Sequence, residues 1–220
     1  HSDCFPPLHR KAEHPFLKFP RKGFTMSKTR LTNRQLSFQP LENRNLLAGN
    51  VVGGMMGTQL QLNGDMADNQ IEITEIAPNQ IQVTGLTGTT VNGAPSQVFT
   101  AGVIEGVLVH TGIGHDEVIV RNVSLTDTPA GNLEIFTATG DDNVVLEQVS
   151  TTQSIIVNTG DHNDSVNAFR VKTRGFFHTD SGNGHDSGMF NAIRAGEMRV
   201  DMHDGDDMLK IRRARVGNDL

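Results

Sequence analysis

The sequence predicts an all-β fold, a single-stranded, right-handed parallel β-helix (a β-solenoid), because one phrase of residues recurs along it. In this phrase an aspartate is followed by apolar residues two, four and seven positions later, as in Asp142 with Val144, Leu146 and Val149. The anchor of the phrase recurs at Asn69, Asp116, Asp142, Asp164, Asp186 and Asp207. From Asp116 onward the anchors are 26, 22, 22 and 21 residues apart. Such a period is typical of stacked coils that cover one another's apolar faces.

The second observation is the alternation of apolar residues after each anchor. In the Asp142 copy, one alternating run contains Val144 and Leu146, and the next contains Ile155 and Val157. Alternation of this kind indicates strands with one buried face. Two strands and their turns within 21–22 residues match one coil of a parallel β-helix, whereas a propeller blade needs about 40 residues. With strands about 4.8 Å apart, roughly seven coils predict a rod of about 34 Å, and parallel crossovers favour right-handed winding.

The third observation is the composition. The chain has 220 residues with 23 glycines, 5% aromatic residues and neither Trp nor Tyr, which suits short strands and tight turns. Cys4 is its only cysteine, which rules out an intrachain disulfide. No stretch approaches the roughly 18 apolar residues of a membrane-spanning helix, so we expect no transmembrane span.

The copies of the phrase are not uniform. The 47 residues from Asn69 to Asp116 predict two coils, of which the second (87–109) has no acidic anchor. The segment 127–131 predicts a longer loop in the Asp116 coil, which would explain its 26-residue spacing. The last copy carries charged side chains that could cover an open solenoid edge, namely Arg212, Arg213 and Arg215. The alternative is that this copy belongs to a longer array.

Charge divides the chain into a predicted leader (1–56) and a predicted repeat domain (57–220). Residues 1–44 contain nine of the 19 Lys and Arg residues and three of the 25 Asp and Glu residues. Because residues 1–24 lack hydrophobic periodicity, we predict a largely disordered leader, with a short helix at 34–47 that would cap the repeat domain. The acidic repeat domain argues against nucleic acid as a partner, since phosphate binding needs positive charge.

A short motif near the end of the leader carries a resemblance to a known class of proteins. It follows a basic stretch and a proline, and consists of Leu41, Glu42, Arg44, Leu46 and Leu47. This order resembles the L-E-x-R-x-L-L sorting motif near the N-terminus of planctomycete-type surface and secreted proteins. The resemblance implies an extracellular or cell-envelope location, and it implies no chemistry.

Stacking of the coils predicts a column of anchor side chains, which are the candidate site residues. The candidates are Asp116, Asp142, Asp164, Asp186 and Asp207. The positions just before the anchors form a second column, Asp68, His115, Asp141, Asn163, His185 and Asp206. We expect each anchor to accept hydrogen bonds from the amides of its own turn, while nearby glycines take positive φ.

Calcium is the alternative role for the anchor column. Segments 112–118 and 182–186 look like half of the glycine-rich nonapeptide of calcium-binding β-rolls, and carboxylates are the hard oxygen ligands that Ca²⁺ prefers. The period of 21–22 residues departs from the nine residues of those rolls. A transition-metal site of histidine and aspartate is a third alternative. We expect the histidines in or near the turns to be solvated, namely His110, His115, His162, His178, His185 and His203.

The predicted function is structural. The sequence contains no G-x-S-x-G, H-E-x-x-H or phosphate-cradling motif. We therefore predict a non-catalytic, exported β-solenoid without a cofactor, acting as a structural, adhesive or spacer module of a cell-envelope protein. Its partners would be cell-envelope components or other repeat modules, and it would be a monomer or a member of an array. The alternatives are a carbohydrate-active β-helix enzyme (a lyase or glycosidase) and a calcium-dependent binding module.

Overall fold

The computed structural model describes residues 49–217, and in this part of the chain every regular element is a β-strand. The strands are β1 (Asn50–Met56), β2 (Gln59–Asn63), β3 (Gln70–Ala77), β4 (Gln80–Gly85), β5 (Thr90–Val91), β6 (Ser96–Thr100), β7 (Gly106–His110), β8 (Glu117–Arg121), β9 (Ser124–Leu125), β10 (Asn132–Phe136), β11 (Asn143–Glu147), β12 (Ser150–Thr151), β13 (Ser154–Asn158), β14 (Ser165–Phe169), β15 (Lys172–Thr173), β16 (Phe176–Asp180), β17 (Ser187–Asn191), β18 (Arg194–Ala195), β19 (Glu197–Asp201), β20 (Met208–Arg212) and β21 (Arg215–Val216). The predicted helix at 34–47, the sorting motif and most of the predicted leader lie outside the described residues.

From β7 onward the strands stack in parallel as a β-solenoid, which confirms the predicted fold class. The first sheet contains β7, β10, β13, β16 and β19, the second contains β8, β11, β14, β17 and β20, and the third contains β9, β12, β15, β18 and β21. One strand from each sheet makes one coil, so residues 106–216 form five coils, numbered here from the N-terminal side. Strands β2 and β3 add an earlier partial coil, because they pair in parallel with β7 and β8. The count is therefore lower than the seven coils predicted.

Each coil has three strands, whereas the sequence predicted two. The third strand is only two residues long, too short to produce a visible alternation. A sharp corner separates it from the second strand, and one residue of each corner has a left-handed φ of 52° to 59°. These residues are Asn122, Gln148, Arg170, Ala192 and Arg213. Because none of them is glycine, the corner gave no turn signal in the sequence.

The N-terminal end is closed by antiparallel strands, which corrects the prediction of two coils between Asn69 and Asp116. Ile71 of β3 pairs directly with Val118 of β8, so the two anchors lie in adjacent coils. The intervening residues fold back, with β4 antiparallel to β3 and β6 antiparallel to β4. Ile81 and Val83 thus belong to a strand that pairs with β3 and not to a next coil. Ile76, seven residues after Asn69, is exposed rather than buried.

The strand positions bear on two further predictions, the start of the repeat domain and the long loop at 127–131. Residues 50–56, which the sequence assigned to the leader, form β1, which pairs with β2 and β5. The domain boundary predicted at residue 57 is therefore too late. Six residues separate β9 from β10, whereas two separate β12 from β13. This difference confirms the predicted long loop at 127–131.

The core consists of columns of inward side chains that repeat from coil to coil. Register pairs Val120 with Leu146, Leu146 with Ala168, Ala168 with Phe190 and Phe190 with Ile211. A small residue in one column makes room for a large residue in the neighbouring column. Gly188 leaves room for the Phe190 ring, which packs edge-on against the inward-facing Phe177 at a centroid distance of 5.5 Å.

The last coil leaves its core positions open to solvent. Leu209, Ile211 and Val216 are 46%, 44% and 55% exposed. The residues that precede Ile211 and Val216 in their columns, Phe190 and Ala195, are 1% and 0% exposed. The stack of described residues is thus covered at its N-terminal end and uncovered at its C-terminal end.

This difference predicts unequal effects of two substitutions in one column. Leu146→Ala removes a fully buried side chain and should lower the free energy of unfolding by about 2–5 kcal/mol. Ile211→Ala removes a half-exposed side chain and should cost about 1 kcal/mol. Urea denaturation of the full chain measures both. Equal losses would show that the last coil is as well covered as the second.

Candidate functional site

The anchor side chains lie at the corner between the first and second sheets, directly before each second-sheet strand. The structure brings all five predicted site residues into one column that continues back to Asn69. Four of them are buried, with exposed fractions of 2–3%, namely Asp116, Asp142, Asp164 and Asp186. Asp207, in the open last coil, is only partly buried. The predicted column is therefore present, and it is an interior feature.

Each anchor carboxyl bonds to the coil before it. The backbone N–H of Asp142 donates to Oδ1 of Asp164 at 2.8 Å, and the N–H of Asp164 donates to Oδ1 of Asp186 at 2.8 Å. The same bond joins Asn69 to Asp116, Asp116 to Asp142 and Asp186 to Asp207 at 2.7–2.9 Å. The donors are thus amides of the neighbouring coil, not of the anchor's own turn as predicted. This bond links coils instead of closing turns.

The column just before the anchors forms a second series of bonds in the opposite direction. The N–H of Asn163 donates to Oδ1 of Asp141 in the preceding coil at 3.0 Å, and the N–H of His185 donates to Oδ1 of Asn163 at 2.9 Å. Nδ1 of His115 and Nδ1 of His185 accept in the same way from the N–H groups of Asp141 and Asp206. Each turn between the first and the last is consequently tied to both of its neighbours.

Glycine is required where the turns of successive coils approach closely. Gly140 has a φ of 138° and Gly182 a φ of 72°, a region that favours glycine. A Cβ on Gly140 would overlap the carbonyl oxygen of Gly114, and one on Gly182 would overlap that of Gly160. Glycine at these turns thus permits the spacing at which the two bond series form.

Burial raises the pKa of these carboxyls. Desolvation raises the pKa of Asp142 to about 6 and that of Asp164 to about 7. It also raises the pKa of Asp116 and of Asp186. The bonds from the neighbouring amides oppose this effect but do not overcome it. Asp141, exposed beside Asp142, has its pKa lowered by the backbone hydrogen bond from Asn163.

The second oxygen of each buried carboxyl explains why the protonated form suits this site. Among the described residues, Oδ2 of Asp142 and Oδ2 of Asp164 are buried and accept no hydrogen bond. The nearby Thr137 hydroxyl lowers the pKa of Asp142, but its proton is directed to the Thr159 carbonyl at 3.1 Å. A protonated Oδ2 can instead donate to that hydroxyl. Protonation therefore gives an otherwise unpaired buried atom a partner.

This arrangement favours the structural role over calcium for the anchor column. A calcium site needs several ionised or carbonyl oxygens around an accessible centre. Here one oxygen of each anchor is taken by a backbone amide, and burial opposes ionisation. The chemistry that the column can perform is the cross-linking of coils.

The histidines are more varied than the solvated set that the sequence predicted. His115 and His185 accept backbone hydrogen bonds, and His110 stacks on Phe136 at a centroid distance of 4.9 Å. On the outer face of the first sheet, Nε2 of His178 lies 3.0 Å from Oδ2 of Asp201. Asp180 and Asp201 are one coil period apart, which is the only sequence signal that could have paired them.

Comparison of the chain with protein-family models, with curated proteins and with solved structures found no match. Within residues 49–217, no helix has the length and apolarity needed to cross a membrane. The class of the protein is thus given by its own structure. It is a parallel β-solenoid whose coils are joined by two opposed series of side-chain-to-backbone bonds.

The raised pKa values predict how stability depends on pH. A carboxyl whose pKa is higher in the folded state contributes stability that is complete below about pH 4 and is lost as pH rises through the folded value. Asp164→Asn keeps an oxygen acceptor and cannot ionise, as Asn69 does at the equivalent position. Relative to the parent, this variant should gain on the order of 1–3 kcal/mol in the free energy of unfolding between pH 4.5 and 8. Urea denaturation across that range measures the difference.

Asp141→Asn is the matched control, because Asp141 is exposed and its pKa is lowered. Its stability relative to the parent should not change between pH 5 and 8. If the difference in the free energy of unfolding between Asp164→Asn and the parent does not change with pH, the raised pKa of Asp164 is contradicted. Thermal melts in millimolar calcium and in chelator complete the test: unchanged midpoints agree with the structural role, and a rise in the parent that Asp164→Asn abolishes would support calcium.

Proposed function

We propose that this chain is a non-catalytic, exported β-solenoid that serves as a structural, adhesive or spacer module of a cell-envelope protein. The observation that carries the proposal is the last coil, whose apolar core positions at Leu209, Ile211 and Val216 are open to solvent. An uncovered solenoid end is suited to receive a further repeat. A stack of repeats that can be lengthened in this way is suited to act as a spacer.

The repeated acids support a structural role, because their chemistry is already used. The anchor carboxyls bond to amides of neighbouring coils and are buried. The repetition that first suggested a binding site is thus accounted for by the joining of coils. A ligand is not needed to explain it.

The two ends of the stack support the proposal by their difference. At the N-terminal end, antiparallel β4 and β6 extend the second sheet. At the C-terminal end, β19, β20 and β21 are the outermost strands of the three sheets. The unpaired backbone groups of such strands are a template for further strands. We therefore infer that the partner at this end is another repeat module.

Export rests on the resemblance of the leader motif, Leu41, Glu42, Arg44, Leu46 and Leu47, to planctomycete-type sorting sequences. We expect the full chain, expressed in a cell of that type, to be found in the envelope or medium. Replacement of Arg44 and Leu46 by Asp should retain it inside the cell, whereas Lys28→Asp and Arg30→Asp, in the preceding basic stretch, serve as comparison variants. Equal fractionation of parent and motif variant would contradict the proposed role of the motif.

The carbohydrate-active alternative would require a free pair of outward carboxylates beside a groove. The outward carboxylates Glu72 and Glu147 instead flank Arg121, at 2.8 Å and 3.2 Å from its guanidinium nitrogens. Because one guanidinium contacts both carboxylates, they do not form the free pair that glycoside hydrolysis requires. This triad is better suited to holding three coils in register.

Addition of one coil tests the spacer role. A copy of residues 176–196 inserted directly after residue 217 continues the three-strand order and would cover Leu209, Ile211 and Val216. We expect one cooperative transition and a gain in the free energy of unfolding on the order of 2 kcal/mol, from the apolar surface that is buried. Urea denaturation followed by circular dichroism provides the measurement.

The matched control carries the same insertion with aspartate at the copied positions of Phe177, Phe190 and Ile193. This chain has the same length but cannot cover the open core, so it should show no gain. An unchanged or lower midpoint for the apolar insertion would contradict the proposal that the last coil receives further repeats.

A further inference from the structure

A second cluster of potential ligands lies on the outer face of the first sheet, away from the buried anchors. His178 and Asp180 are two residues apart on β16, so their side chains point to the same face. Asp201 of β19 is in register with Asp180. The donor atoms of His178, Asp180 and Asp201 all lie within 4.8 Å of one another. The fold thus brings an imidazole and two carboxylates together from the fourth and fifth coils.

A second imidazole borders this cluster. Nε2 of His203 lies 3.0 Å from Oδ1 of Asp180, while Nε2 of His178 lies 3.0 Å from Oδ2 of Asp201. The four side chains therefore alternate between imidazole and carboxylate. Each carboxylate contacts the imidazole of the other coil.

The environment of the cluster is intermediate between core and solvent. The side chains of His178, Asp180 and Asp201 are 25–30% exposed, so an ion from solution can reach them. Two contacts orient the carboxylates. The N–H of Gly182 donates to Oδ1 of Asp180 at 3.2 Å, and Nε of Arg199 lies 2.6 Å from Oδ2 of Asp201. Arg199 is 67% exposed and can turn away when another cation takes its place.

We propose that His178, Asp180 and Asp201, with His203 as the fourth donor, bind a divalent transition-metal ion such as Zn²⁺. Imidazole nitrogen and carboxylate oxygen bind Zn²⁺ at about 2.0–2.2 Å and accept tetrahedral geometry. Two pairs of these donor atoms already lie 3.0 Å apart, and those of His178, Asp180 and Asp201 lie within 4.8 Å of one another. Calcium fits this set poorly, because it prefers six to eight oxygen ligands.

Such an ion would join the fourth coil to the fifth. The fifth coil is the one whose core positions are exposed, so it has the least packing to hold it. Binding to the folded state alone raises the stability of the folded state. The metal ion would therefore hold the fifth coil against the fourth.

The test uses the full chain in a Cys4→Ser background, so that a thiolate cannot supply the site. Calorimetric titration with Zn²⁺ and the visible absorption of bound Co²⁺ give affinity and coordination, and thermal melts with Zn²⁺ or chelator give stability. The parent should bind one ion that these four side chains hold, and its melting midpoint should rise with Zn²⁺. Loss of an outer-shell partner alone costs about 10–100-fold in metal affinity. His178→Ala should therefore weaken this binding at least tenfold and abolish the thermal shift.

Asp201→Asn is a second variant, chosen because it keeps the shape of the side chain if His178→Ala disturbs the fold. It should show the same loss of affinity and the same loss of the tetrahedral Co²⁺ spectrum. His110→Ala is the matched control, since His110 occupies the column of Asp180 in the first coil, and it should bind as the parent does. Equal affinities for the parent, His178→Ala and Asp201→Asn, or a midpoint in the parent that Zn²⁺ does not move, would overturn the proposal.

Discussion

The structure depends on one bond, the donation from the backbone N–H of each anchor to the carboxyl of the anchor in the next coil. Without it, the amides at a buried corner would lack partners, which costs on the order of 1–3 kcal/mol for each group. The bond from Asp142 to Asp164 fixes the two coils at a single register. That register places Val144 on Val166 and Leu146 on Ala168. The core columns therefore follow from the corner.

The second series of hydrogen bonds runs in the opposite direction to the first. Asp164 accepts from the coil before it, whereas Asp141 accepts from the coil after it. The buried series works with a protonated acid or an amide, as Asn69 demonstrates at the first position. The exposed series tolerates aspartate, asparagine or histidine, because solvent compensates for differences in charge. Burial thus explains why one column is nearly uniform and its neighbour varied.

Much of the fold could be predicted from the sequence because it depends on local periodicity. The period of 21–22 residues identified the stacked coils, and the positions two and four after each anchor identified inward residues such as Val144 and Leu146. The features that it missed depend on pairing between distant residues. The fold-back of β4 onto β3 contains the same alternation as a coil strand, so the sequence predicts two coils between Asn69 and Asp116 where the structure has a fold-back. The third strands have only two residues each, too few to produce an alternating pattern of apolar residues.

The candidate site was predicted in its membership but not in its bonding. The spacing of the aspartates identified the column, whereas the donor of each bond depends on the distance between coils. The cluster of His178, Asp180 and Asp201 was missed for the same reason. It forms across two coils, and none of its members belongs to the repeated phrase.

The most direct test of the central bond is the titration of the anchor carboxyls by carbon-13 NMR in the full chain. Because desolvation outweighs the opposing hydrogen bond from the neighbouring coil, a buried anchor carboxyl should titrate well above an ordinary aspartate, whose pKa is about 3.9. The structure places the pKa of Asp142 at about 6 and that of Asp164 at about 7. Midpoints in that range would agree with acids that link the coils from the interior. Midpoints at or below 4 for both residues would contradict it, because they would show ionised carboxylates in contact with solvent or a cation.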